Sequence, residues 1–409
     1  MSDEKKYDLT SPAFKANPYP TYAKMRQEVP IYKHELPLHL GGSTWFVTRY
    51  DYVEAILHDH KRFVKNFRLN AATPEQQAKL PPTPHLLKLV GDHMLNHDAP
   101  IHSRLRNLVS KAFTPPMINK LRPMVEEISR NLLDKIQNKK EMDLISEYAY
   151  PFVLPVTMQL IGLPLDDIDK IRVWADAFSA PVNTKKEMEA YSTSMKGFTD
   201  YLNQIFDKRR KNPQQDLVTE LVHAKDKKNL LSETELSSMV FFLLLAGYDT
   251  SVHIFGTGML SLLQHPGQLK KLKNDLSMIE VAIEELLRYA PSLETATLRY
   301  AAEDVQMDGQ TIRKGERVMA IICSANRDSE SFCNPDSLDI CRDPNQHQTF
   351  GYGIHFCLGA PLARLEAKVG FKELLERLPG IRLNISPEEL SWRVRFPVRG
   401  LVSLPVAWD

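Results

Sequence analysis

A chain of 409 residues is long enough for one large core or two ordinary ones. Its 52 Lys and Arg against 51 Asp and Glu leave a net charge of +1, which excludes a strong electrostatic pull toward nucleic acid or an acidic membrane surface. With 25% charged and 43% hydrophobic residues, and a polar start "MSDEKKYDLTSPAFKANPYP" that lacks the apolar run of a secretory signal, the chain reads as a soluble cytoplasmic protein without a membrane anchor.

Taken in chain order, the pattern is mostly helical. "YPTYAKMRQEV" predicts a short helix, and the alternation in "TWFVTRY" predicts a strand. From roughly 63 to 97 the periodicity fades and Pro81, Pro82 and Pro84 cluster, which predicts a long functional loop. Long helical patterns follow to about Leu263, interrupted at "NPQQD". In "LLSETEL", Ser232 and Glu235 have the spacing of a capping box, opening a helix of more than thirty residues, roughly 45–50 Å at 1.5 Å each. The stretch Met239 to Leu260 could imitate a membrane span. Asp249 near its middle would cost roughly 2.5–3.5 kcal/mol in lipid, so a buried helix is expected instead. "MIEVAIEELLRYA" predicts another helix, "TLRYAAEDVQMDGQTIRKGERVMAII" strands with turns at "DG" and "KG", and 326–348 irregular chain. "PLARLEAKVGFKELLERL" is a last helix before a short strand-rich tail. No repeat or linker is visible, so one domain spanning residues 1–409 is expected, mainly α with small β-sheets (α+β).

The four cysteines are Cys323, Cys333, Cys341 and Cys357. A cytoplasmic setting disfavours disulfides, and no CxxC pair suggests zinc. The first three read as small buried hydrophobes. Cys357 differs, because Gly351, Gly353 and Gly359 surround it and a helix is predicted to begin near Leu358. Free N–H groups at a helix start stabilise a thiolate, and glycines let a flat ligand approach the backbone. Iron in a porphyrin is such a ligand. A phosphate loop would need Lys-Ser/Thr after its glycines, and "CLGA" has none.

"FGYGIHFCLG", Phe350 to Gly359, resembles the haem-binding signature of the cytochrome P450 monooxygenases at every fixed position. "AGYDTS", the Glu-x-x-Arg pair in "EELLR" and "HDAPIHSRLR" resemble three further motifs of that family, in its order. The resemblance covers nearly the whole chain. It implies the P450 fold, a large helical domain with haem b between the long central helix and the cysteine-loop helix. It makes Cys357 the axial thiolate, with Ala246, Gly247, Phe350, Gly351 and Gly359 beside the haem. It gives the haem propionates to His102, Arg106, Arg299 and His355. It makes Glu285, Arg288 and Arg342 a structural triad. It gives Thr250 the steadying of the oxygen under activation and Asp249 the relay of protons from solvent.

The implied function is hydroxylation or epoxidation of a lipophilic small molecule, such as a polyketide or macrolide, fatty acid, terpenoid or steroid. The alternatives are a haem-thiolate carrier, sensor or isomerase, or a peroxide-driven peroxygenase. Lining the substrate pocket we expect Val90, Leu95, Phe242, Leu245, Thr295 and Phe396, with the helix pair near Phe178 to Tyr191 contributing to specificity. Electrons are expected from a ferredoxin or flavodoxin with its reductase, steered by Arg104, Lys111 and Arg364. A monomer is expected.

Overall fold

One helix sets the scale of the molecule. In the computed structural model, which describes residues 7–36, 42–83, 85–179, 182, 184–228, 230–393 and 397–409, the central helix runs unbroken over Glu233–Gln264. Its start is the expected capping box. The Ser232 hydroxyl accepts from the Glu235 N–H at 3.0 Å, and the Glu235 carboxylate accepts from the Ser232 N–H at 2.8 Å. Two of the orphan donors of a helix start are satisfied this way. The helix is long and apolar enough to cross a membrane, yet most of its apolar segment is packed inside the protein. Helices Tyr150–Ile161, Lys185–Lys211, Leu217–Lys228, Ile279–Tyr289 and Ala360–Arg377 surround it. Phe255 on the central helix stacks on Phe371 of the last of these, ring centroids 5.3 Å apart, and meets Phe152 edge-on at 5.5 Å. Each such fully buried side chain contributes about 1.5–3 kcal/mol.

The sheets are small. The largest has the order Ile31–Glu35, Ser43–Val47, Arg317–Ala320, Arg299–Ala301, Phe63–Val64. Ser43–Val47 pairs in parallel with Arg317–Ala320, and the other pairs are antiparallel. The "DG" turn joins Val305–Met307 to Gln310–Ile312 through Asp308 and Gly309, both at positive φ. The strand predicted over "TWFVTRY" stops at Val47, because Tyr50 opens the helix Tyr50–His58 and its N–H is taken by Asp328 Oδ2 at 2.9 Å. The expected long loop over 63–97 is instead a chain of short pieces, among them Phe67–Ala71, Pro74–Lys79, His85–Gly91 and Met94–Asn96. Each is too short to carry a periodic pattern.

Glu285 and Arg288, on Ile279–Tyr289, have no solvent exposure. Arg288 donates to both Glu285 oxygens, at 2.7 and 2.8 Å, and Arg342 Nε reaches the same carboxylate at 3.1 Å. The spare guanidinium N–H groups bind carbonyls of the irregular segment: Arg288 those of Asn326, Pro335 and Ser337, Arg342 those of Cys333 and Asn334. A segment without helix or strand thereby finds partners for its backbone. Breaking a buried ion pair strands a charge, so Glu285→Ala is expected to destabilise the fold by about 3–5 kcal/mol. Denaturant unfolding followed by circular dichroism measures this; a loss below about 1 kcal/mol, the range of exposed pairs, would show that the triad is not a structural node.

Candidate active site

The segment before the last helix makes a tight loop. The Cys357 N–H bonds the Phe350 carbonyl at 2.8 Å, and the Gly351 N–H bonds the Gln348 carbonyl at 2.8 Å. Gly353 sits at φ +69°, and a Cβ there would come within 2.7 Å of the Leu57 carbonyl oxygen, so no other residue fits. The helix begins at Ala360 with Gly359 as its cap, two residues later than the sequence predicts. Burial raises the Cys357 thiol above its ordinary value; the N–H groups of Gly359 and Ala360 and the Arg106 guanidinium act in the opposite direction. The helix start thus favours the thiolate, but burial outweighs it in the protein alone.

Cys357 opens onto a cavity of about 410 Å³ that the central helix also lines, through Phe242, Leu245, Ala246, Gly247, Asp249 and Thr250. Phe350, Gly351, His355, Gly359, His102, Arg106 and Arg299 line the same cavity. The central helix runs unbroken through this stretch, and the Thr250 hydroxyl bonds back to the Ala246 carbonyl at 2.7 Å. Gly247 lets the helix Tyr150–Ile161 come close, since a Cβ would lie 3.0 Å from Thr157 Cγ2. Asp249 forms an ion pair with Arg393, Nη1 at 3.3 Å, and His253 Nε2 lies 3.6 Å from the same carboxylate.

One edge of the cavity is cationic. His102 and His355 face each other, ring centroids 4.3 Å apart, and neither ring nitrogen of His102 nor Nε2 of His355 has a partner. Burial, then Arg106, lowers His102 to about 4; burial, then Lys65 and His102, lowers His355 to about 2. Burial lowers Arg299 to about 10, opposed by Asp98. Lys65 was not anticipated from sequence. It is buried, donates to Thr297 Oγ1 and the Leu298 carbonyl, and is pushed well down by burial and then by Arg299. Orphaned polar atoms beside crowded positive charge make a receptor for anionic groups.

The family model for Cytochrome P450 matches residues 171–379. The polyketide biosynthesis cytochrome P450 PksS of Bacillus subtilis (strain 168) is 40% identical over 398 residues, covering 96% of both chains. The chain belongs to the cytochrome P450 family. The cytochrome P450 monooxygenase PikC of Streptomyces venezuelae is 39% identical over 97% of this chain and 92% of its own. A myxobacterial cytochrome P450, CYP267B1, solved with myristic acid, superposes with TM-score 0.92 at 38% identity, over 98% of each chain. This P450 is therefore a haem-thiolate monooxygenase. Its cavity fits that cofactor: haem carries two propionates, and His102, Arg299 and His355 offer orphaned or desolvated donors at one edge, with the buried Lys65 close to His355, while Cys357 offers the only cysteine sulfur among the described lining residues.

Within the P450 cavity, Leu95, Phe242 and Leu245 stand where the sequence expects them. His93, unanticipated, stacks on Phe242 at 4.2 Å and 9°, fixing that ring. Val90 packs against the core and Thr295 is buried, and neither is among the described lining residues; Phe396 lies outside the described residues. Phe178 packs on Phe241 and Tyr191, turned into the core and not the cavity. Two of the three expected docking cations are engaged. Arg104 pairs with Glu235, lashing its helix Ile101–Val109 to the start of the central helix. Arg364 holds Glu284 at 2.6 and 2.7 Å and lies over the Phe350 ring, 4.6 Å from its centroid. Lys111 is exposed.

A further buried acid faces the central helix. Glu366 has no exposure, and neither carboxyl oxygen has a hydrogen-bond partner of good geometry. Burial raises it to about 8 from an ordinary 4.5, opposed by the Ser251 hydroxyl. The folded state therefore holds this proton more tightly than the unfolded state does. Stability from this group is full below about 4.5, falls as pH rises toward about 8, and is flat above. Glu366→Gln is expected to flatten that decline, so its melting temperature gains on the wild type as pH rises through this window. Parallel melting curves across pH measure it; identical slopes would mean that Glu366 is not a buried neutral acid. Lys65→Met is expected to retain less haem, read as a lower ratio of Soret to protein absorbance, whereas Arg104→Gln should keep its haem.

Proposed function

We propose that this P450 acts as a single domain that hydroxylates or epoxidises a lipophilic small molecule of the polyketide, macrolide or fatty-acid kind, using electrons from a ferredoxin or flavodoxin. The observation that carries the reading is one cavity lined by Cys357 on one side and by apolar Leu95, Phe242 and Leu245 with Asp249 and Thr250 on the other. The relatives named for polyketide work and the neighbour solved with myristic acid support the substrate class. When bound, thiolate-ligated haem supplies the reductive activation of dioxygen, the sulfur pushing electron density toward O–O cleavage. Cys357 Sγ is the donor, and the loop hydrogen bonds and the Glu285 triad hold it in place. Arg106 and Arg299 would offset the charge of the propionates and His102 and His355 would hydrogen-bond them, with the buried Lys65 close by. Thr250, whose hydroxyl bonds the Ala246 carbonyl at 2.7 Å, would offer that hydroxyl as a hydrogen-bonding group at the cavity wall, and the Asp249 carboxylate would pass protons in from solvent. The apolar wall orients the substrate and excludes water from it.

Docking of an acidic redox protein is supported on the cysteine side. Phe356 is exposed there, and the helix Pro115–Asn119, which packs on the cysteine-loop helix, exposes Met117 near Lys111. Charge steering is screened over roughly 8 Å at physiological salt. Turnover at limiting ferredoxin is expected to fall as salt rises, and Lys111→Glu to raise the ferredoxin concentration for half-maximal rate; a salt-independent rate would place docking elsewhere.

The test of the central reading is a panel of lipophilic compounds scanned for a low-to-high-spin Soret shift, followed by reductant-driven product formation. Cys357→Ser is expected to lose the red-shifted carbon-monoxide band, while the same change at Cys323, Cys333 or Cys341 leaves it. Thr250→Ala is expected to consume reductant but release peroxide in place of product. A retained band in Cys357→Ser would overturn the ligand assignment, and unchanged coupling in Thr250→Ala would overturn the proton route.

A further inference from the structure

Asp249 lies where the central helix meets the C-terminal tail. Its Oδ1 stands 3.3 Å from Arg393 Nη1, although the two residues are 144 apart in sequence. The other arm of that guanidinium donates to the Tyr150 hydroxyl at 2.6 Å. Tyr150 in turn packs against Tyr248 of the central helix, ring centroids 5.3 Å apart. The arginine is thus braced from behind by the helix Tyr150–Ile161 and presents its charge to the carboxylate. It is the more exposed partner, at 29% of its side chain against 17% for Asp249, so the pair bridges solvent and cavity wall.

Other groups face the same spot. His253, one turn along the central helix, is fully buried with Nε2 3.6 Å from Asp249. Asp176, from the helix Ile168–Ser179, feels Arg172, Arg393 and Asp249. Two carboxylates therefore share the field of Arg393, and a guanidinium that bonds one of them decides which carries the nearer charge.

The backbone of Arg393 belongs to a hairpin. Its N–H bonds the Gly400 carbonyl at 2.9 Å, the Val402 N–H bonds the Ser391 carbonyl at 2.8 Å, and Trp392 bridges Leu401. Pro397 and Val398, on the same hairpin, line the cavity, and Val398 bridges Leu293, which lines it too. One element therefore contributes both cavity wall and the cation on Asp249.

We propose that Arg393 is a positioning residue for the monooxygenase reaction: its guanidinium holds the Asp249 carboxylate charged and oriented at the cavity wall, and the hairpin that lines the cavity sets that hold. The inference rests on the reading of Asp249 as the proton relay. The fold ties to a distant arginine the acid that the sequence resemblance makes the relay of protons from solvent. The proton route then runs through a carboxylate whose geometry is fixed on both sides, by the central helix and by the tail.

The experiment uses the haem-loaded full chain with the panel compound that gives the largest Soret shift. Arg393→Ala, Arg393→Lys, Asp249→Asn and the double variant Arg393→Ala/Asp249→Asn are compared. Product per reductant consumed is expected to fall several-fold in Arg393→Ala and to recover in Arg393→Lys. The dissociation constant from the Soret shift should stay within about twofold, and Arg393→Ala should add no more than about twofold in the Asp249→Asn background, the size of ordinary additivity error. Melting temperatures of the same four proteins give a reading independent of turnover: the two single changes should be non-additive. Additive melting shifts would overturn the contact. A weakened dissociation constant with unchanged product per reductant would mean that Arg393 only shapes the pocket, and would overturn the proposal. If Asp249→Asn itself leaves turnover unaltered, the relay reading falls and this inference with it; a loss in Asp249→Asn with none in Arg393→Ala overturns this inference alone.

Discussion

Glu285 is sealed from solvent, and Arg288, Arg342, Asn345 and the Asp339 N–H all donate to it. A buried carboxylate is tolerated only with this density of donors. The arrangement ties the helix Ile279–Tyr289 to the irregular chain before the cysteine loop, which has few regular partners of its own. From there the order propagates. Asn326 bonds Thr349 and the Gln348 N–H, Thr349 bonds the Leu287 carbonyl, and the loop begins one residue later. A thiolate donor must be held rigidly, and here its rigidity comes from charge pairing two layers away.

The opposite constraint governs the cationic edge. Lys65, Arg299, His102 and His355 crowd together with Asp98 as the acid among them, and Asp98 spends its oxygens on the N–H groups of Lys65 and Asn66 and the amide of Asn70. Burial holds both histidines neutral in the protein alone. Such a site is poorly satisfied by the chain itself and well satisfied by two carboxylates. Two propionates at this edge would enter the core's charge balance.

The central helix reconciles these demands. It is apolar over most of its length and carries Asp249, Thr250, Ser251 and His253 together in little more than one turn. That turn meets the cavity on one side, the tail through Arg393 on another, and the last helix through Ser251 and Glu366 on a third.

Local spacing carries much of this molecule. A capping box, a Glu-x-x-Arg pair three residues apart, His102 and Arg106 on one helix face, and glycines around Cys357 are all short-range patterns, and the physics that reads them acts within a turn or two of chain. The long helices were legible for the same reason. The broken segment 63–97 was not, because no piece runs beyond about two turns, too little for a period to repeat. Nor were Lys65, His93, Arg393 and Glu366, whose meaning lies in burial and in partners far along the chain, nor the engagement of Arg104 by Glu235 and Arg364 by Glu284. Short-range patterns therefore carry the family resemblance, the glycine loop around Cys357 and the central helix; which charges are buried, which are paired and which face the cavity is a matter of the folded contacts, because desolvation and ion pairing arise between segments that sequence distance does not encode.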